Sequence, residues 1–128
     1  MKAAVDEIIV NKPFDRVLEE ARNKIITTGF LLIHEIDTQQ ILKMQAINIL
    51  PLRQLLFFHP QYMKKILEND PLAVAEVPLK LVLREIDAAK TSVTYVNPLV
   101  NLQDYKLDDS LAKELLKIVK AILNDLMA

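Results

Sequence analysis

The sequence contains no cysteine and only one glycine, Gly29, in 128 residues. Without cysteine this chain forms no disulfide, offers no thiolate nucleophile or persulfide carrier, and builds no iron–sulfur cluster or cysteine zinc site. A single glycine leaves none for the glycine-rich loops that hold phosphates or dinucleotides. These absences exclude several widespread classes of enzyme before any motif is considered.

Charge of one sign and long hydrophobic runs are also lacking. The chain has 16 basic and 17 acidic residues, a formal net charge of −1, and no basic cluster larger than Lys64-Lys65, so we expect no nucleic-acid partner. Its apolar runs are a few residues long, against the roughly 20 that span a bilayer, and we expect no membrane partner. Asp6 and Glu7 precede any apolar run, so no signal peptide is predicted and a cytoplasmic location is expected.

What is present is the composition of a folded protein, with 52% hydrophobic and 26% charged residues, and we predict a single domain over residues 1–128. Hydrophobic periodicity and turn residues predict the elements. Strands are expected at 5–10, 30–37, 53–59, 79–86 and 91–96, and helices at 13–28, 38–46, 60–69 and about 109–127, with a loop through Asp104. Thr38 is the expected N-cap of the second helix, and Asp108, Asp109 and Ser110 are candidate caps of the last. This order predicts an α+β fold, a two-layer sandwich with an about five-stranded, mixed or mostly antiparallel sheet and helices packed on it.

Gly29 lies where the first helix must end and a strand must begin. The apolar residues before it recur at helical spacing, and Phe30 to Ile33 form a short apolar run typical of a strand. A glycine just beyond a helix adopts the left-handed conformation without a Cβ penalty. We therefore predict a positive φ at Gly29.

Two of the predicted strands are apolar on both faces. Side chains alternate across a strand, so Phe30 and Leu32 oppose Leu31 and Ile33, and in the third strand Leu55 and Phe57 oppose Leu56 and Phe58. Such strands require cover on both sides. Helices cover one face, and the C-terminal helix, a second copy of the chain or an apolar small-molecule ligand must cover the other. We predict a homodimer or, failing that, a lipophilic ligand.

The two histidines, His34 and His59, stand at or near the ends of two strands. If those ends meet, Glu35 would complete a set of ligands suited to zinc or iron. The alternative is that His59 caps the helix beginning at Pro60 and His34 lies on a half-exposed edge. Because no paired histidine spacing is present, we expect no bound metal and no cofactor.

Three further polar residues are candidate ligand contacts. Tyr95 combines an apolar ring with a polar tip, and Asn97 precedes Pro98, where its side chain is more typical of a turn than of a ligand site. Arg84 ends an apolar strand, where it would bind an anion or form a cross-strand pair. No catalytic residue is predicted, because neither serine lies in a nucleophile elbow.

The order of short motifs resembles the family known as domain of unknown function 302. The chain shows Gly29-Phe30 after the first helix, Glu35-Ile36-Asp37 ending a strand, a proline opening the middle helix, Val77-Pro78 before the hairpin and Tyr95-Val96-Asn97-Pro98 after it. The resemblance covers about 5–105. It implies a compact two-layer α+β domain, often homodimeric, with no established activity. The chain departs from the family pattern at His59, where asparagine is usual, and in a hairpin without glycine.

These observations predict a non-catalytic binding or interaction module that acts as a homodimer. The alternative is a small enzyme or metal-binding protein that uses His34, Glu35 and His59 together. Ligand contacts, if present, are expected among His34, His59, Tyr95, Asn97 and Arg84.

Overall fold

The computed structural model describes residues 4–128, which form five strands, five α-helices and one 3₁₀ segment. The strands are β1 (Val5–Val10), β2 (Leu31–Asp37), β3 (Leu52–Phe58), β4 (Leu79–Asp87) and β5 (Lys90–Val96). The helices are α1 (Phe14–Thr27), α2 (Thr38–Lys43), α3 (Pro60–Asn69), α4 (Pro98–Asn101) and α5 (Asp109–Met127), and the 3₁₀ segment is Pro71–Glu76. In the described part of the chain, no helix is long and apolar enough to cross a membrane.

The five strands form one sheet in the order β1-β5-β4-β3-β2, with every neighbouring pair antiparallel. β1 and β2 therefore lie at opposite edges of the sheet, and β5, β4 and β3 lie between them. The predicted α+β architecture is confirmed, and the sheet is antiparallel throughout rather than mixed.

One face of the sheet and the helices enclose the core. Leu55 and Phe57 of β3, Leu81 of β4 and Val93 of β5 are each fully buried on this face. Helices α1 and α5 pack beside each other over it, and α5 contributes seven buried residues to the same core. The C-terminal helix is thus part of the helical layer, and it does not cover the opposite face of the sheet.

The opposite face of the sheet is open, and we call it the open face. Residues paired in the ladder point to the same face of the sheet. The open face therefore carries Leu31 and His34 of β2, Gln54, Leu56 and Phe58 of β3, Lys80 and Val82 of β4, and Thr94 of β5. Arg84, Ser92 and Ile9 lie on this face at its far end. The alternation predicted for β3 is confirmed, because Leu55 and Phe57 are buried whereas Leu56 and Phe58 are half-buried.

In β2 the alternation is interrupted. A register shift between Leu32 and His34 leaves Ile33 without a ladder partner, as in a β-bulge. Leu31 and Ile33 remain 50% and 44% exposed. Their predicted cover is therefore not supplied by the helices of the same chain.

Two helices end in a left-handed residue. After α1 the N–H of Phe30 donates to the carbonyl of Ile25, and that of Gly29, at φ 92°, donates to Ile26. This is the Schellman arrangement, and the positive φ predicted for Gly29 is confirmed. After α2 the same two bonds recur around Ala46, at φ 59°.

Several helices begin with a polar side chain that accepts a hydrogen bond from a backbone N–H two residues on. Asp70 accepts from Leu72 at 3.2 Å and Asp108, as predicted, from Ser110 at 3.0 Å. The expected cap at Thr38 is wrong, because Asp37 accepts from the N–H of Gln40 and Thr38 is already helical. The loop predicted after β5 is also wrong in part, since it contains α4.

Candidate functional site

Polar side chains on the open face gather at one position, where β1, β5 and β4 lie side by side. The Ser92 hydroxyl donates to Glu7 Oε2 at 2.5 Å, and Arg84 Nη2 lies 3.5 Å from the same oxygen. Arg84 thus forms the cross-strand pair considered in the sequence, reaching across β5. Ser92 is 1% exposed although it faces away from the helices.

Glu35 faces the helices and binds two arginines. Arg22 of α1 donates to both carboxylate oxygens, through Nε to Oε1 and through Nη2 to Oε2 at 2.8 Å. Arg53 of β3 donates to Glu35 Oε2 at 3.2 Å and to Asp37 Oδ2 at 3.1 Å. The hydrogen bond from Arg22, assisted by Arg53, outweighs partial burial and holds the pKa of Glu35 below its ordinary value. This network joins α1 to the edge of the sheet.

His59 occupies the N-cap of α3. Its Nδ1 accepts from the backbone N–H of Gln61 at 3.2 Å, as expected if it caps the helix that begins at Pro60. Its ring meets Phe30 and Tyr62 edge to face, with centroids 5.6 and 5.0 Å apart. A Cβ built on Gly29 would lie 3.2 Å from His59 Nε2. The His59 ring therefore also packs against the turn between α1 and β2, beside Gly29 and Phe30.

The structure does not bring His34, Glu35 and His59 together. Adjacent residues in a strand point to opposite faces, so His34 is exposed on the open face while Glu35 contacts arginines beneath the helices. His59 uses one ring nitrogen as a helix cap. Within residues 4–128 no three histidine or acidic side chains are placed to hold a metal ion. The alternative in which these three residues act as one site is contradicted by this geometry.

Tyr95 and Asn97 have structural environments of their own. Tyr95 is buried on the helical side of the sheet opposite Asp6, and burial raises the pKa of its phenol. Asn97 Oδ1 accepts from the N–H of Leu99 at 3.0 Å and so caps α4, in agreement with the turn role considered for it. Asn97 Nδ2 also lies 3.5 Å from Asp6 Oδ2, so both residues are next to Asp6, but neither lines the cleft described next.

A cleft of about 390 Å³ lies at the end of the sheet where β5 ends and β4 begins. Leu56, Lys80 and Val96 line it from three neighbouring strands on the open face. The segment 75–79, before and at the start of β4, and Pro98, Asn101 and Leu102, after β5, form the rest of the lining. Glu76 and Asn101 are its other polar residues. Of the candidate site residues named from the sequence, none lines this cleft.

Comparison with known proteins gives the family. A family model described as "Domain of unknown function DUF302" matches residues 7–126. The chain belongs to the DUF302 family. The crystal structure of an uncharacterized conserved DUF302 protein from Bacillus stearothermophilus superimposes on this DUF302 domain with a TM-score of 0.85 at 18% identity, covering 99% of this chain and 100% of the other. At that identity the likeness shows the fold alone, and the curated proteins contain no match.

The two departures of this DUF302 domain from the family pattern have simple structural readings. A histidine before Pro60 caps α3 through Nδ1, and the asparagine usual in the family offers an amide oxygen for the same purpose, as Asn97 does before Pro98. In the hairpin without glycine, Asp87 Oδ1 accepts from the N–H of Ala89 at 2.8 Å and holds the turn. Both departures alter a cap or a turn and leave the fold of the DUF302 domain intact.

Proposed function

We propose that this protein is a non-catalytic binding domain that acts as a homodimer, with the open face of the sheet as the interface between the two copies. The observation that carries the proposal is an uncovered sheet face with large apolar side chains in its central and edge strands. Leu31 and Ile9 are each more than 40% exposed on this face, and Val82 and Leu56 lie half-buried in the strands between them. Ile33, in the bulge of β2, is also more than 40% exposed. Large apolar side chains exposed on a face that no helix covers are typical of protein interfaces.

The charges of the open face favour a second copy of the same chain as the partner. In a two-fold symmetric contact a patch meets itself, so an excess of either sign is repelled. Glu7 and Arg84 already neutralise each other at 3.5 Å, which leaves Lys80 as the open-face cation without an ion pair among the described residues. A nearly neutral, apolar face suits contact with its own copy.

The structural contacts of the polar candidate residues Glu35, His59 and Asn97 further support a binding role over a catalytic one. Glu35 is hydrogen-bonded to two arginines, and His59 and Asn97 cap helices. Each of these side chains already has an acceptor atom engaged in a cap or an ion pair of the fold. These contacts support a structural role for Glu35, His59 and Asn97.

Sedimentation velocity at micromolar concentration tests the proposal. We expect a species of twice 14.6 kDa for the natural chain. Val82→Lys places a third cation beside Lys80 and Arg84 at the centre of the open face, and we expect it to yield a monomer with an unchanged circular dichroism spectrum.

Leu67→Lys is the matched control, because Leu67 is 51% exposed on α3, away from the sheet. It should remain dimeric. A natural chain that sediments as a 14.6 kDa monomer across the micromolar range, or a Val82→Lys variant that remains a folded dimer, would contradict the proposed interface.

A further inference from the structure

We infer that the cleft at the end of the sheet is a binding site for a small zwitterionic molecule with an apolar body, of the kind represented by a hydrophobic α-amino acid. The inference deepens the proposed binding role and rests on it in that respect. Leu56, Lys80 and Val96 line the cleft and also lie on the open face, so the cleft and the proposed interface share these residues.

The cleft follows from the antiparallel pairing of β4 and β5. Because β4 begins where β5 ends, the segment entering β4 and the segment leaving β5 lie at the same end of the sheet. Pro78 stands just before β4 and Pro98 just after β5, so both segments leave the ladder there and form the two walls. The floor is the row Leu56, Lys80 and Val96. Its volume of about 390 Å³ falls at the low end of small-molecule sites, which span roughly 300–1,000 Å³.

The charges of the cleft select the class of ligand. Three of its eleven lining residues are polar, namely Glu76, Lys80 and Asn101, and the remaining eight are apolar. A ligand with one charge could pair with only one of Lys80 and Glu76. A zwitterion satisfies both, and its apolar part contacts the remaining walls.

The side chain of Glu76 is oriented by a hydrogen bond. The Tyr105 hydroxyl donates to Glu76 Oε1 at 3.0 Å, and the same contact raises the pKa of the tyrosine. A carboxylate accepts about four hydrogen bonds, so Oε2 remains available to an ammonium group. Lys80 forms no ion pair with a carboxylate among residues 4–128, and the residue is exposed.

Chemical-shift titration of the ¹⁵N-labelled chain tests the site with three probes that share a phenyl ring. These probes are L-phenylalanine, phenylacetate and phenethylamine, which are a zwitterion, an anion and a cation. We expect L-phenylalanine to shift amides of 75–80 and 96–102 and to bind about tenfold more tightly than either analogue, since a hydrogen bond to a charged group contributes roughly 1.5–3 kcal/mol.

Two variants separate the two charges. Lys80→Met should weaken L-phenylalanine and phenylacetate but leave phenethylamine unchanged, and Glu76→Gln should weaken L-phenylalanine and phenethylamine but leave phenylacetate unchanged. Lys90→Met, in the exposed β4–β5 hairpin, is the control and should bind all three probes like the natural chain. Each spectrum also reports whether the variant is folded.

Absence of shifts at these amides, equal affinity for the three probes, or binding unaffected by both cleft variants would overturn the inference. The outcome is distinct from that of the dimer test. A monomer that binds L-phenylalanine refutes the proposed interface alone. The Val82→Lys variant, expected to be monomeric and so to leave the cleft uncovered, refutes the cleft if it does not bind L-phenylalanine.

Discussion

Replacing Gly29 by alanine tests how much stability depends on a single left-handed residue. Gly29 has φ 92°, follows the last turn of α1 and precedes Phe30, whose ring is buried against Phe57 at a centroid distance of 5.2 Å. An alanine must keep this conformation if Phe30 is to stay in the core. It must also place a Cβ 3.2 Å from His59 Nε2, closer than an ordinary van der Waals contact.

The expected cost is the sum of these two effects. A left-handed conformation costs an L-residue roughly 1–2 kcal/mol, and the reduced entropy of the unfolded alanine chain returns about 0.4–1 kcal/mol. The contact with His59 adds to the cost unless the ring moves away from its cap position. We therefore expect Gly29→Ala to lower the free energy of unfolding by about 1–2 kcal/mol, out of the 5–15 kcal/mol typical of a domain.

Urea denaturation followed by circular dichroism measures this difference. The midpoint should fall with an unchanged slope, because the substitution alters the folded turn and not the surface exposed on unfolding. Ala46→Gly is the matched control, since Ala46 occupies the same position after α2 with φ 59°, and it should leave stability unchanged or raise it. If Gly29→Ala is as stable as the natural chain, the reasoning from backbone conformation is refuted.

Three other substitutions test contacts described above. Glu35→Gln should remove a pH dependence of stability, because the folded protein holds the pKa of Glu35 below its ordinary value of 4.5. The ionised carboxylate stabilises the fold above pH 4.5, and this stabilisation is lost as the pH falls through the lowered pKa. The thermal unfolding temperatures of the variant and the natural chain should therefore differ at neutral pH and converge in acid. Asn97→Ala removes the cap of α4 and should cost about 0.5–2 kcal/mol in urea denaturation, with a cost near zero contradicting the assigned cap. Leu126→Ala, at a fully buried position near the end of α5, should cost about 2–5 kcal/mol, whereas a surface-like cost would show that the end of α5 is not part of the core.

Features that depend on a few adjacent residues were predictable from the sequence. The turn at Gly29, the cap formed by His59 and the alternation of Leu55 and Phe57 with their neighbours follow from local rules, and each is confirmed. The start of the short helix α4 also has a local signal, because Asn97 followed by Pro98 is typical of a helix start as well as of a turn.

Features that depend on register were not predictable in this way. The contact of Glu35 with Arg22 and Arg53 requires the pairing of β2 with β3 and the position of α1 over that edge, which no local pattern specifies. The cleft joins 75–80 to 96–102, two segments that meet only through the pairing of β4 with β5. Likewise, the bulge at Ile33 has no glycine to mark it.

The position of β1 at the edge beside β5 sets the order in which this chain can fold as it is synthesised. Val5 pairs with Val96, so the first strand has no neighbour in the sheet until about 90 further residues have left the ribosome. By then β2 can already be paired with β3, and β3 with β4, through much shorter separations. Contacts between residues distant in the chain form late and slowly, because a long loop must close before the contact is made. Val5 and Ile9 therefore have no neighbouring strand in the sheet until β5 has been synthesised.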